Sequence, residues 1–399
     1  MFDTAIKPNQ TRLDWVMLSA VVGLMIIGAA FVNSARLAED AEIAWHSQLW
    51  VRQLVWYGAG LGCVIVLCLI DYHVWARWSL VLYWATILLL ILVLVPLIGQ
   101  TVGGARRWFN LGFFKLQPSE FAKISFIFIQ AHFLSRPPDE LGISKIFMRA
   151  LGLVALPFVL IMLEPDLGSA LVLLPTSLIT LYVAGAPVRF LRRLIGFSTL
   201  LVALILVDVL FAPPNWQIKL HEYQRQRLMV FFGQEFASEN ATPEEKRKAQ
   251  QLKRDKSLQV DQAMIAVGSG GFWGKGWHNG TQTALKFLPK GAAHNDFIFS
   301  VIAEEKGFAG SVTVIALFGL ILFSGIRIAG QARDRLGKLL AVGVVALLFS
   351  HVFINIGMNT RLMPVTGVPL PLLSYGGSSV VCSLIAIGIL QNIYIYRRS

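Results

Sequence analysis

Five carboxylates sit where apolar sequence begins, and they are the side chains best suited to chemistry in this chain. Asp296 closes the polar stretch His294-Asn295-Asp296 and precedes the apolar run that opens at Phe297. Glu304 and Glu305 follow roughly two helical turns further on, at about 1.5 Å per residue. Asp166 opens another run behind Pro165. Glu120 opens a third behind Gln117-Pro118-Ser119, with Lys123 close to its start. An ionisable group in a membrane segment is costly to keep, so it points to function by default. A carboxylate at a wet mouth suits proton transfer. A plainer role competes at the run openings: an acid there complements a helix dipole, and Ser119, Asp166 or Asp296 can serve as a cap.

The cations available to an anionic ligand are Arg106-Arg107, Arg225, Arg227, Lys275 and Lys290, and Arg and Lys pair well with phosphate oxygens. Tyr223-Gln224-Arg225-Gln226-Arg227 precedes an apolar run from Leu228 to Phe232. It reads as an amphipathic helix on the membrane interface, where arginines also snorkel without a ligand. The stretch from Gly268 to Gly276 is dense in glycine and carries one cation, Lys275. It fails the phosphate-loop pattern G-x-x-x-x-G-K-[ST], because Gly276 follows Lys275 and Ser269 stands five residues before Gly274. Glycine still permits close backbone approach to a ligand, with a turn-rich surface loop as the alternative. Prolines and glycines also crowd the segment from Pro364 to Ser379, which includes Ser374. Irregular backbone at membrane depth is tolerated only when buried in protein or lining a wet cavity.

These residues need elements to hold them, and the composition says which. The chain has 399 residues, 55% hydrophobic and 15% charged, with a mean hydropathy of +0.63, against about 45–50% and about 25% in soluble chains. That excludes a string of soluble domains, a disordered chain, a coiled coil and a disulfide scaffold. About ten apolar segments approach the roughly 20 residues that a spanning helix needs. They fall near 13–32, 52–70, 79–98, 120–134, 147–163, 167–185, 189–212, 297–326, 338–357 and 378–396. The expected fold is an all-α polytopic membrane protein, one domain over 1–399. Positive charge favours both termini in the cytoplasm, and the N-terminus reads as a retained tail with no signal peptide. Residues 213–296 then form a large outer loop with a charged stretch at 242–256. The net charge of +12 marks the cytoplasmic side and gives no reason to expect nucleic acid. Cys63, Cys68 and Cys382 lie in apolar runs and suggest neither disulfides nor zinc. No metal-ligand cluster is visible; a divalent cation such as Mg is compatible with the chemistry but has no evident ligands. An enzyme acting on a lipid-linked anion and a transporter of such a lipid both fit these residues.

The motifs resemble those of the SEDS family, whose members shape, elongate and divide bacterial cells. They are Arg107-Trp108 with Gln117-Pro118-Ser119-Glu120; Glu164-Pro165-Asp166-Leu167-Gly168; Tyr223-Gln224-Arg225-Gln226-Arg227; Ala266 to Gly271 with Gly274-Lys275-Gly276; Asp296-Phe297-Ile298-Phe299; and Pro369 to Ser378. The similarity runs from Arg12 to about Arg398. Tyr223 to Arg227, Gly280-Thr281-Gln282 and Val365 to Pro369 favour the elongation branch over the division branch.

The resemblance implies a peptidoglycan glycosyltransferase in the bacterial cytoplasmic membrane that polymerises lipid II, a disaccharide-pentapeptide on undecaprenyl diphosphate. It implies as partners a class B penicillin-binding protein with transpeptidase activity and the membrane proteins of the elongation complex. The family's catalytic Asp falls on Asp296, the expected general base of a single inverting displacement. The substrate set is expected to comprise Arg107, Glu120, Lys123, Asp166, Arg225, Lys275 and Ser374, with Arg107, Arg225 and Lys275 facing the departing diphosphate. The chain departs from the family at Leu288 to Asp296. The family commonly reads Leu-Pro-Glu, one residue, then His-Thr-Asp; here Lys290 and Asn295 replace Glu and Thr, and two residues are inserted. A flippase of lipid II and a scaffold for cell-wall enzymes are the competing readings.

Overall fold

A computed structural model of the chain describes residues 13–40, 44–102, 105–112, 114–211, 222–233, 243–284 and 292–398. All ten apolar segments form helices: α1 (Trp15–Asp40), α2 (Leu49–Leu69), α3 (Ser79–Leu94), α4 (Pro118–Leu134), α5 (Ser144–Leu163), α6 (Leu167–Val183), α7 (Val188–Phe211), α10 (Ile298–Gln331), α11 (Arg335–Asn359) and α12 (Gly377–Ile395). Between α7 and α10 lie α8 (Glu222–Phe231) and α9 (Pro243–Ser269), so the charged stretch is helical from Pro243 onward. Among the described residues, seven helices are long and apolar enough to span a membrane: α1, α2, α5, α7, α10, α11 and α12. The protein is a multi-pass membrane protein. The 17-residue α4 is nearly all buried, Glu120 and Lys123 included, which makes it a core helix with little lipid to face.

The ladder of each helix satisfies its own backbone, the requirement that lipid imposes. Helix contact then depends on close approach. The packing of α12 on α2 is the most extensive among the described residues, and small residues make it. A methyl group at Gly60 would lie 2.4 Å from a Leu384 methyl, and Gly388 faces Val64 and Leu67 across the same seam. Asn392 fastens one end of the seam, accepting from Tyr72 N at 3.0 Å and donating to the Ile70 carbonyl at 2.6 Å.

The helical reading overlooks a small sheet. Strands β1 (Gln100–Val102), β2 (Ala105–Asn110) and β3 (Lys115–Leu116) form an antiparallel meander between α3 and α4. Phe109 pairs with Leu116 and Asn110 with Lys115, and a bulge separates Gln100 from Thr101. The sheet is tied to the bundle. Arg106 Nη1 donates to the Leu94 carbonyl at 3.0 Å, Gln117 N donates to Ser378 Oγ at 3.1 Å, and Ser378 Oγ donates to the Lys115 carbonyl at 3.3 Å.

The glycine-rich stretch has a structural partner. Helix α10 breaks at Gly307 (φ 64°, ψ −157°), and the chain from Gly270 to Gly276 docks on the break. Phe308 N donates to the Gly271 carbonyl at 2.8 Å, and Lys275 N to the Glu304 carbonyl at 3.0 Å. A methyl group at Gly274 would lie 2.2 Å from the Glu305 carbonyl oxygen. The glycines therefore bring backbone against backbone.

Candidate active site

Asp296 sits one residue before the N-cap of α10, which is Phe297 and has no side-chain cap bond. The capping role open to Asp296 on sequence is therefore not used. Its main chain is fixed from both sides. Asp296 N donates to the Ala292 carbonyl at 2.9 Å, and its carbonyl accepts Asn355 Nδ2 at 3.1 Å and Asn359 Nδ2 at 3.0 Å. These asparagines lie one turn apart on α11. Asn355 also holds the Val368 carbonyl at 2.8 Å, and Ser300 Oγ donates to Asn359 Oδ1 at 2.6 Å. The side chain is thus left to face charge. Gly367, at φ +76°, borders the gap: a methyl group there would lie 3.6 Å from Asp296 Oδ2 and 3.9 Å from Arg227 Nη1. Burial holds the Asp296 carboxyl above the ordinary carboxylate range. Arg227 and then Arg107 pull it back down, and Asp166 pushes it up. A base tuned upward in this way is better matched to proton transfer near neutral pH.

Asp166 caps α6 by accepting Ser169 N at 3.2 Å, and it does more. It accepts Gln117 Nε2 at 2.9 Å and stands 3.5 Å from Arg107 Nη1. Ser119 does not cap α4; it accepts from Gln117 Nε2 at 3.0 Å and reaches Asp166 Oδ2 at 3.4 Å. Beside them, Glu164 is fully buried with neither carboxylate oxygen hydrogen-bonded. Burial, reinforced by Asp166 and opposed by Arg107, pushes its pKa up to about 9. Glu164 is therefore a neutral acid at physiological pH. One centre thus gathers Asp296, Arg107 and Asp166, all expected site residues, with Arg227, one of the available cations, and Glu164, a motif residue with no role assigned from sequence.

The other expected residues go elsewhere. Arg227, two positions beyond Arg225, acts on Asp296, and Arg225 Nε is buried. A helix presents residues two apart on different sides. Lys275 is committed to Glu304 Oε1 at 2.6 Å and to Thr281 Oγ1 at 2.6 Å. Glu305 accepts from Ser34 Oγ at 2.5 Å and from His278 N at 3.2 Å. This pair of glutamates staples the glycine turn to α10. Glu120 and Lys123 form a buried ion pair at 2.8 Å, with His351 Nε2 3.0 Å from Lys123 Nζ. They border a cavity of about 10 Å³, room for roughly one water. Ser374 Oγ accepts Leu370 N at 2.8 Å and donates to the Asn295 carbonyl at 2.5 Å, so it positions the loop beneath Asp296. Lys290 lies outside the described residues. Among the described residues no three His, Cys, Asp or Glu side chains cluster as metal ligands.

Asn355 and Asn359 carried no signal as isolated letters in an apolar run. Their spacing of four, on one helix face, was the only hint.

The FtsW/RodA/SpoVE family of cell cycle proteins has a family model that matches residues 14–399. The chain belongs to this family. It is 35% identical over 392 residues to the peptidoglycan glycosyltransferase MrdB of Escherichia coli strain K12, covering 98% of this chain and 95% of that protein. It is equally similar, 35% over 398 residues, to a probable peptidoglycan glycosyltransferase FtsW of Trichlorobacter lovleyi, covering 98% and 96%. Overall identity thus does not separate the elongation branch from the division branch. Among solved structures, the fold matches a chain of a peptidoglycan synthase complex that coordinates polymerization and crosslinking, with TM-score 0.74 and 30% identity over 97% of this chain and 99% of that one. It also matches the rod-shape-determining protein RodA of Thermus thermophilus, with TM-score 0.66 and 28% identity over 98% and 100%.

Proposed function

We propose that this family member is a peptidoglycan glycosyltransferase of the bacterial cytoplasmic membrane that polymerises lipid II during cell elongation. The observation that carries the reading is a main-chain-clamped carboxylate, Asp296, facing two guanidinium groups. Two lipid-linked sugars need one base and a place for developing phosphate charge. Asp296 takes the proton of the acceptor sugar's 4-hydroxyl as that oxygen bonds to the donor's anomeric carbon. The bond from that carbon to diphosphate breaks on the opposite face, and the configuration inverts. Fixed cations lower the barrier where charge develops, and Arg107 and Arg227 are the two that this centre supplies. Asp166, itself held by Gln117, holds Arg107 in place. Glu164, being neutral, adds no negative charge to repel the diphosphate.

The sheet end of the bundle faces the cell exterior in this reading, and both termini face the cytoplasm. A class B penicillin-binding protein supplies crosslinking, in keeping with the coordinated complex that the fold resembles. The test is the purified full-length chain with its transpeptidase partner and labelled lipid II. Glycan polymer is the expected product. Transfer of lipid II between leaflets without polymer contradicts the proposal and supports a flippase.

A further inference from the structure

The glycine turn that docks on the break in α10 carries two large aromatic side chains, and none of the roles above uses them. Trp273 is 78% exposed and Phe272 58% exposed. The glycines on either side explain why. Gly270 and Gly274 face α10, where a methyl group would meet the Ala303 and Glu305 carbonyl oxygens at 2.0 and 2.2 Å. The residues between them are left to face outward. Phe272 meets Trp273 edge-on with centroids 4.8 Å apart, and it lies 5.8 Å from Phe308. Phe308 follows the break at Gly307 directly and is 60% exposed. Trp277 extends the patch. Its ring lies 5.5 Å from that of Phe31 on α1, and Lys306 Nζ sits over it, 5.1 Å from the centroid.

This patch begins where the lipid-facing band of α10 begins. Helix α10 is long and apolar enough to span a membrane. Beyond the break, Phe308, Val312, Ile315, Phe323 and Ile326 are exposed. At 1.5 Å per residue they cover about 27 Å of helix, close to the roughly 30 Å of a hydrocarbon core. Arg327 ends the band, paired with Asp14 beside the exposed Trp15 of α1. One edge of the band is thus marked by a tryptophan and an ion pair. The other is marked by Phe272, Trp273 and Trp277, with Lys306. Tryptophan favours both membrane interfaces, where its amphipathic ring sits at the level of the headgroups. A lysine there keeps its stem on apolar surface and its ammonium toward the headgroups. A contiguous exposed aromatic surface marks an interaction site. Phe308 belongs both to the patch and to the band that faces acyl chains, so the surface continuous with the patch is lipid.

We propose that Phe272 and Trp273 insert into the headgroup boundary of the bilayer, so that the glycine turn anchors the end of α9 to the membrane surface. The partner is the lipid surface itself, held by aromatic burial and by Lys306 beside the phosphates. This contact is independent of the role given to Asp296.

The experiment uses the full-length chain, freed of its own three cysteines, in vesicles of phosphatidylethanolamine and phosphatidylglycerol. Trp273→Cys carries an environment-sensitive fluorophore. Ile315→Cys, on the lipid face of α10, and Gln251→Cys, exposed on the charged part of α9, carry the same fluorophore as references. At position 273, a nitroxide at the headgroup end of the lipid chain is expected to quench more than one at the tail end. The order is expected to reverse at position 315. Position 251 is expected to be quenched by iodide from the water and by neither lipid. Iodide quenching at 273 equal to that at 251, with no quenching by lipid, overturns the proposal. Shielding at 273 that appears only when a transpeptidase partner is added assigns the patch to a protein and overturns it as well. A second measurement keeps the native side chains. Brominated lipid is expected to quench less of the tryptophan emission in Trp273→Phe than in the unaltered chain. An unchanged quenchable fraction overturns the proposal.

Discussion

At the residue scale, the proposed chemistry turns on how Asp296 is held and charged. Its carboxyl is raised by burial and lowered by Arg227 and Arg107, and only the ionised form accepts a proton. Polymerisation should therefore rise with pH along an acid limb placed above the ordinary Asp value of about 3.9. Arg227→Ala removes a cation that favours the ionised form, so the limb should move to higher pH. A limb moved to lower pH, or not moved, would break the link between Arg227 and the base. Asn355 and Asn359 act through the main chain. Leaving a buried carbonyl without its donors costs about 1–3 kcal/mol. Asn355→Ala with Asn359→Ala should therefore lower kcat by about tenfold or more while KM for lipid II changes little. A change confined to KM would place these asparagines in binding and remove their positioning role.

At the element scale, the glycine turn and the broken helix α10 form one device. Gly274 has φ +84° and lies against the Glu305 carbonyl, where a methyl group would come to 2.2 Å. Gly274→Ala should cost about 1–3 kcal/mol through overpacking and should be read as a lower melting temperature, with faster proteolysis between α9 and α10. An unchanged melting temperature would show that the turn yields freely. The same elements mark what a sequence can reveal. The ten helices were legible because twenty-residue apolar runs leave the backbone no other solution in lipid. The sheet was not, because its strands run to six residues at most and carry no long alternation. Glycine density announced a close approach but could not say to what, and the answer was the protein's own helix. Asp296 was legible from its place at a run opening. The part played by Arg227 was not, because only the packing of α8 brings that arginine to Asp296.

At the scale of the whole molecule, the bundle is a frame that brings distant segments to one end. Strand β2, the turn between α5 and α6, helix α8, the start of α10 and the end of α11 all contribute to the centre, and no one of them contains it. The proposed orientation rests on the distribution of positive charge. Single cysteines introduced at Arg398 and at Asn110, in a chain freed of its own three, should be labelled by impermeant reagent only from the cytoplasmic and only from the outer side, respectively. Labelling of both from one side would contradict the proposed odd number of crossings, α4 to α7 and α10 to α12, between Asn110 and Arg398. The central claim is that Asp296 is the base of a sugar-transfer reaction. The most direct test is the single-turnover rate of glycan bond formation from lipid II by Asp296→Asn beside the unaltered chain. The predicted result is a loss of about 100-fold or more, the scale of general-base catalysis, with lipid II still bound. A rate within about threefold of the unaltered chain, well short of that scale, would contradict it.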